Sequence, residues 1–182
     1  MSAQTALIVV DVQESFRHRP YFNDAELPAF FKATNALVQG FKEKKLPVVR
    51  IFHVEPSGAF SHASGFVKPM AELDYDPDVV FEKTVHSALA GTGLANWLTR
   101  NGIRRVVISG IRTEQCCETT TRHASDSGFE VDYVTEATLT FPMKHPNGRL
   151  YSADEIRERT ELVLSQRFAT ICTTASALER AQ

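Results

Sequence analysis

The stretch RRVVISGIRTEQCCETTTRHASDSGFEVDYVTE, residues 104–136, decides the architecture. It opens on an apolar, β-branched run (104–110) and closes on a second (129–136), and each reads as a strand. Between them, Cys117, Thr120, Thr121 and Ala124 recur at i, i+3, i+4 and i+7, which puts small side chains on one helical face. Strand, helix, strand over this length is a βαβ crossover, so the two strands run parallel. Thr113 is expected to cap the helix, placing Glu114, Gln115 and Cys116 in its first turn.

The same alternation extends outward. Further strand-like runs lie at 6–10, 47–54 and 167–174, with a short apolar VVF at 79–81, and helical patterns at 27–45, 91–102 and 152–166. In the first helix Phe30, Ala33, Leu37 and Phe41 share a face; Gly102 punctuates the second; Ser152 and Glu155 form a capping-box pattern before the last. Alternating strands and helices predict an α/β fold, a three-layer Rossmann-like sandwich whose mainly parallel six-stranded sheet is covered by helices on both faces. The expectation is one domain over residues 1–182. Two stretches break the alternation, 55–78 and 141–151, both rich in Gly, Pro, Ser and His; loops of that kind serve as lids or subunit contacts.

Composition narrows the function. The chain has 182 residues, a formal net charge of −2 and only three cysteines, Cys116, Cys117 and Cys172. No disulfide framework or C-x-x-C zinc pattern is present, which suits a reducing, cytoplasmic setting. Near-balanced charge without like-charge blocks speaks against nucleic acid as a partner, and the absence of a long apolar run against a membrane. A small-molecule substrate is the expected partner.

In an open parallel sheet, ligands sit beyond the carboxyl ends of the strands. Three chemically capable residues fall there: Asp11 after ALIVV, Lys83 after VVF, and the cysteine pair a turn after VVISG. An Asp in such a place is commonly a turn residue, and a lone Lys a solvated charge. Cys172, inside an apolar run, reads as core. A cysteine in a helix first turn meets unpaired amides and the positive end of the dipole, so a lowered thiol pKa is expected. Cys117 belongs to the sheet-packing face and Cys116 points elsewhere, which favours Cys116 as the nucleophile.

The segments ALIVVDVQESF, then VVFEKTVHSALAGTGLANWLTRNGIRRVVISGIRTEQCCETTTRHASDSGFEVDYVTEAT, then RFATICTTASAL occur in the order of a known family. The chain resembles the isochorismatase-like cysteine hydrolases, which include nicotinamidases and N-carbamoylsarcosine amidohydrolases. The resemblance implies a hydrolase acting on non-peptide C–N bonds, with Asp11, Lys83 and Cys116 as catalytic triad. It implies an oxyanion hole from the backbone amides of Arg112 and Cys116, with the Ile111 to Arg112 peptide cis. It also implies self-association, as a dimer or tetramer. Candidate pocket residues are Gln13, Phe16, Phe60, His62 and Arg112, the last either pairing with a substrate carboxylate or facing solvent in its turn; Glu82 is expected to face outward. Nicotinamidases carry a D-x-H metal site with a further histidine, but here Ile51 stands two before His53, so neither metal nor other cofactor is expected. The rival readings are a catalytically inactive binding module on the same fold and a vinyl-ether hydrolase of the isochorismatase type.

Overall fold

A computed structural model describes residues 4–73 and 75–182. Six strands form one sheet in the order β3-β2-β1-β4-β5-β8, and every pairing in it is parallel. The strands are β1 (Thr5–Val10), β2 (Val48–His53), β3 (Val79–Lys83), β4 (Arg105–Ile111), β5 (Glu130–Leu139) and β8 (Thr170–Ile171). The helices are α1 (Leu27–Glu43), α2 (Leu94–Arg100), α3 (Glu118–Asp126), α4 (Ala153–Leu164) and α5 (Thr174–Arg180).

β1 shows why the sheet needs cover on both sides: all six of its residues are buried. Leu7 and Val9 enter the core that α1 supplies with Phe30, Leu37 and Phe41, while Ala6, Ile8 and Val10 enter the core that α2 supplies with Leu94 and Leu98. Alternate residues of a strand face opposite ways, so a run apolar at every position belongs in the middle of a three-layer sandwich. The strand order reverses at β1, since β2 and β3 lie to one side and β4, β5 and β8 to the other. That reversal opens the crevice beyond Val10 in which Asp11 sits.

Several expected elements take a different form. The strand read over 167–174 shrinks to Thr170–Ile171, because the chain first turns through Gln166 at φ 59° and then enters α5, a helix absent from the sequence reading. The 55–78 stretch contains short 3-10 turns at Gly58–Phe60, His62–Ser64 and Ala71–Leu73. It is tied to the segment after β1 by Glu14 N to Lys68 O, Ser15 N to Phe66 O and Met70 N to Val12 O. Asp74, within that stretch, lies outside the described residues. The 141–151 stretch folds back as a hairpin of β6 (Met143–Lys144) and β7 (Leu150–Tyr151). The expected capping box at Ser152 is present, with both reciprocal hydrogen bonds.

Candidate active site

Three strand ends supply the site. Asp11 follows β1 with its backbone in the left-handed region at φ 54°, a conformation that Asp tolerates better than most residues. Its amide donates to Ile51 O at 3.0 Å, which fixes the carboxylate in the crevice. Lys83 ends β3, and Cys116 lies in the turn after β4. Glycine is required close by: a Cβ on Gly110 would stand 2.0 Å from Val10 O, so only glycine lets β4 approach β1 there.

The turn that presents Cys116 is a π-helical segment, Thr113–Cys117, leading into α3. Thr113 does not cap it. Arg112 takes the cap position, and the Thr113 hydroxyl instead hydrogen-bonds that of Thr138 on β5 at 2.8 Å. Tyr133 donates to Thr113 O at 2.8 Å, so β5 anchors the turn through both ends of Thr113. Gln115 N and Cys117 N both donate to Arg112 O, and the Ile111 to Arg112 peptide is cis. Cys117 is fully buried in the α2–α3 side of the core, whereas Cys116 reaches the crevice.

Lys83 Nζ lies 2.7 Å from Asp11 Oδ2 and 3.3 Å from Cys116 Sγ, with the Asp11 and Lys83 side chains wholly buried. The Asp11 contact is an ion pair off the aligned hydrogen-bond direction, and Oδ1 has no hydrogen-bond partner among the described residues. Burial pushes the Asp11 carboxyl up, against the pull of Lys83. Burial opposes the Lys83 charge, but Asp11 and Cys116 outweigh it and hold the ammonium. The lowered thiol pKa expected for Cys116 is corrected here. Burial first, and the Asp11 charge second, push it well up, so the resting group is a thiol. Such a site needs a base beside the sulfur, and Asp11 is placed to be one.

The other expected site residues separate into two groups. Phe16 and Phe60 are buried and meet edge to face with centroids 5.0 Å apart; Phe60 also stands 5.7 Å from the His53 ring. Arg112 is buried, stacks on Tyr21 at 4.6 Å, and pairs through Nη2 with Glu114 Oε1 at 2.9 Å, so an internal carboxylate meets it. Gln13 is not a free pocket residue: its amide accepts from His53 N at 2.7 Å and donates to His53 O at 3.1 Å and to Ser15 Oγ at 2.8 Å. His62 is also corrected, being exposed and paired with outward-facing Glu82 at 3.1 Å.

His53 is the residue that sequence reasoning undervalued. Its spacing from Ile51 argues only against a metal site, yet its Nδ1 lies 3.0 Å from Lys83 Nζ. The strand ending that puts His53 beside β3 was the one available signal. Single donor atoms of Asp11, His53 and Cys116 lie within 4.8 Å of one another, a spacing that metal ligands share, but the Lys83 ammonium contacts all three. Ile51 is fully buried and has no donor atom, and His62 is engaged with Glu82. The D-x-H metal set of nicotinamidases does not fit these residues, because Ile51 stands in place of its acid while His53 and His62 are turned to Lys83 and Glu82.

A doubly wound parallel sheet that gathers an acid, a cation and a thiol at its switch point places the chain among α/β proteins with a crevice beyond the carboxyl strand ends. The isochorismatase domain model matches residues 5–176, and the chain belongs to the isochorismatase family of hydrolases. It is 34% identical over 182 residues to the uncharacterized isochorismatase family protein YrdC of Bacillus subtilis, covering 96% of this chain and 94% of that one. A shorter stretch of 65 residues, 36% of this chain and 33% of the relative, is 43% identical to Nicotinamidase 3 of Arabidopsis thaliana. Among solved structures, an isochorismatase-family protein of Chromobacterium violaceum superposes with a TM-score of 0.89 at 27% identity, covering 97% of this chain and 92% of that one. N-carbamoylsarcosine amidase of Thermoplasma acidophilum shares the fold, with a TM-score of 0.75 at 21% identity over 94% of this chain and 96% of that one. No helix among the described residues is long and apolar enough to cross a membrane.

Proposed function

We propose that the chain is a single-domain cysteine hydrolase that cleaves a C–N bond of a small amide, ureido or carbamoyl compound through a thioester on Cys116. The observation that carries this reading is the Lys83 ammonium lodged between the Asp11 carboxylate and the Cys116 sulfur, at 2.7 and 3.3 Å, in a buried crevice at the sheet's switch point. The nicotinamidase and N-carbamoylsarcosine amidase names among similar proteins lend it support.

In this scheme the Cys116 proton passes to Asp11, the sulfur adds to the substrate carbonyl carbon, and the carbonyl electron pair moves to oxygen. Backbone amides of Arg112 and Cys116 receive that oxyanion; each such donor is worth about 10² to 10³ in rate. Collapse breaks the C–N bond, and the proton held by Asp11 leaves with the nitrogen as ammonia or an amine. Water then gives a proton to Asp11 and adds to the thioester, the C–S bond breaks, and the proton returns to sulfur as the acid departs. Lys83 keeps one positive charge beside both anionic forms throughout, so no step separates charge in a dry site. Phe16 and Phe60 lie on the His53 side of this crevice. The protein works in this reading without metal, in the cytoplasm, as a dimer or tetramer, which size-exclusion chromatography with light scattering checks.

Ammonia release from a panel of primary amides, ureido acids and carbamoyl amino acids tests the function. Turnover of one panel class by the parent and none by Cys116→Ala is the expected result. No turnover across the panel by a folded parent would move the binding-module reading forward.

A further inference from the structure

We infer that His53 is a positioning residue that accepts a hydrogen bond from the Lys83 ammonium and so fixes that cation between Asp11 and Cys116. Its consequence for turnover rests on the hydrolase reading above; the clamp itself does not.

A lysine ammonium has three N–H donors and no acceptor, on a flexible four-carbon stem. Around Lys83 Nζ stand three acceptor atoms: Asp11 Oδ2 at 2.7 Å, His53 Nδ1 at 3.0 Å and Cys116 Sγ at 3.3 Å. They come from the ends of β1 and β2 and from the turn after β4, so the three contacts triangulate the cation. Without His53 the ammonium would keep only the Asp11 ion pair and the Cys116 hydrogen bond, and the stem could swing away from the sulfur.

The histidine is itself held. His53 and Lys83 are register partners in the parallel pairing of β2 with β3, which brings their side chains to one edge. Both backbone polar groups of His53 are gripped by the Gln13 amide, and the edge of Phe60 limits the ring. Nδ1 accepts from an ammonium only if the ring proton sits on Nε2. Glu55 Oε1 stands 3.7 Å from Nε2, on the side where it favours a proton, and both Glu55 oxygens accept from Arg19 Nη2 at 3.1 and 3.2 Å. A continuous polar chain therefore runs from Arg19 at the surface through Glu55, His53 and Lys83 to the thiol. The titratable groups facing His53 are Lys83 from β3, Asp11 beyond β1, Glu55 in the loop after β2, His86 beyond β3 with ring centroids 6.5 Å apart, and Cys116. Burial, and then Lys83, lower the His53 pKa, in keeping with a neutral acceptor ring.

The test has two arms on the full chain. Nitrogen-15 NMR of the histidine rings is expected to show His53 neutral with its proton on Nε2 at neutral pH. Iodoacetamide labelling of Cys116, mapped by peptide mass spectrometry from pH 5 to 9, is compared in the parent, His53→Leu and His53→Asn. His53→Leu fills similar space without an acceptor and is expected to slow labelling about tenfold or more, the worth of a hydrogen bond to a charged group. His53→Asn places an oxygen near the Nδ1 position and is expected to stay within about threefold of the parent. Thermal melts of both variants identify any that fail to fold, and the tautomer arm needs no variant. A proton on Nδ1, equal slowing in both folded variants, or slowing in neither would overturn the inference. The expected tautomer and variant pattern in a protein that turns over no panel compound would support the clamp and remove the hydrolase reading instead.

Discussion

Two aspartates of this protein are buried beside a basic partner, and they are finished differently. Asp132, near the amino end of β5, offers both oxygens to Arg180 Nε at 3.1 and 3.0 Å, with Arg105 Nε a further 3.7 Å away. Asp11, beyond the carboxyl end of β1, has Lys83 against one oxygen and no hydrogen-bond partner for the other among the described residues. Asp132 has both oxygens engaged by an arginine N–H, whereas Asp11 keeps an oxygen free of hydrogen bonds, where a proton can be taken. The amino edge of the sheet spends its charge on holding the fold together, and the carboxyl edge leaves a valence open next to a thiol.

The largest expected effect separates the two edges by activity. Asp11→Asn and Cys116→Ala should each lower kcat at least about 10³-fold, the scale of a lost base or nucleophile, whereas Asp132→Asn should leave kcat within about threefold in whatever fraction stays folded. Steady-state rates normalised to folded protein decide this. Equal losses at both aspartates would erase the distinction.

Stability should follow next. Lys83→Met strips the partner from a wholly buried carboxylate and is expected to cost about 3 to 5 kcal/mol in denaturant unfolding, while the double variant Asp11→Asn with Lys83→Met should recover part of that loss. A double variant less stable than either single change would show that the ion pair contributes net stability. Gly110→Ala tests the backbone approach beneath the site: its Cβ would stand 2.0 Å from Val10 O, and a loss above about 2 kcal/mol is expected, with disturbed Cys116 labelling.

A pH profile sharpens the comparison further. Asp11 must be ionised to take the thiol proton, and burial raises its pKa, so kcat/KM should climb with pH through a limb lying above the ordinary aspartate value of about 3.9. Lys83 pulls the other way, so Lys83→Ala should move that limb to higher pH still. A limb at or below the ordinary value would mean that another group is the base. The smallest effect belongs to His62→Ala: its exposed pairing with Glu82 should be worth under about 1 kcal/mol, and the variant should turn over like the parent.

Much of this was legible in the sequence, for physical reasons. Strands buried on both faces read as unbroken apolar runs, so the alternation around residues 104–136 disclosed a parallel sheet, and the rule about carboxyl ends pointed to Asp11, Lys83 and the cysteine pair. What stayed hidden depended on neighbours far along the chain. Thr113 has the chemistry of an N-cap, but Thr138 and Tyr133 from β5 claim it. Cys116 sits where a dipole lowers a thiol pKa, yet desolvation, which only the packed structure reveals, dominates and raises it. His53 took its meaning from the β2–β3 register, which no local pattern states. Gln13 was expected in the pocket from the family resemblance; here both ends of its amide are used up on His53 and Ser15.

The most direct measurement is to mix the protein with 4-nitrophenyl acetate, an activated acyl donor, follow nitrophenolate release on the millisecond scale, and map the acid-quenched protein by mass spectrometry. A burst of about one nitrophenolate per chain, with the acetyl group on Cys116 and absent in Asp11→Asn, is the expected result. No burst, or an acetyl group on Cys117 or elsewhere while Cys116 stays free, would contradict the account.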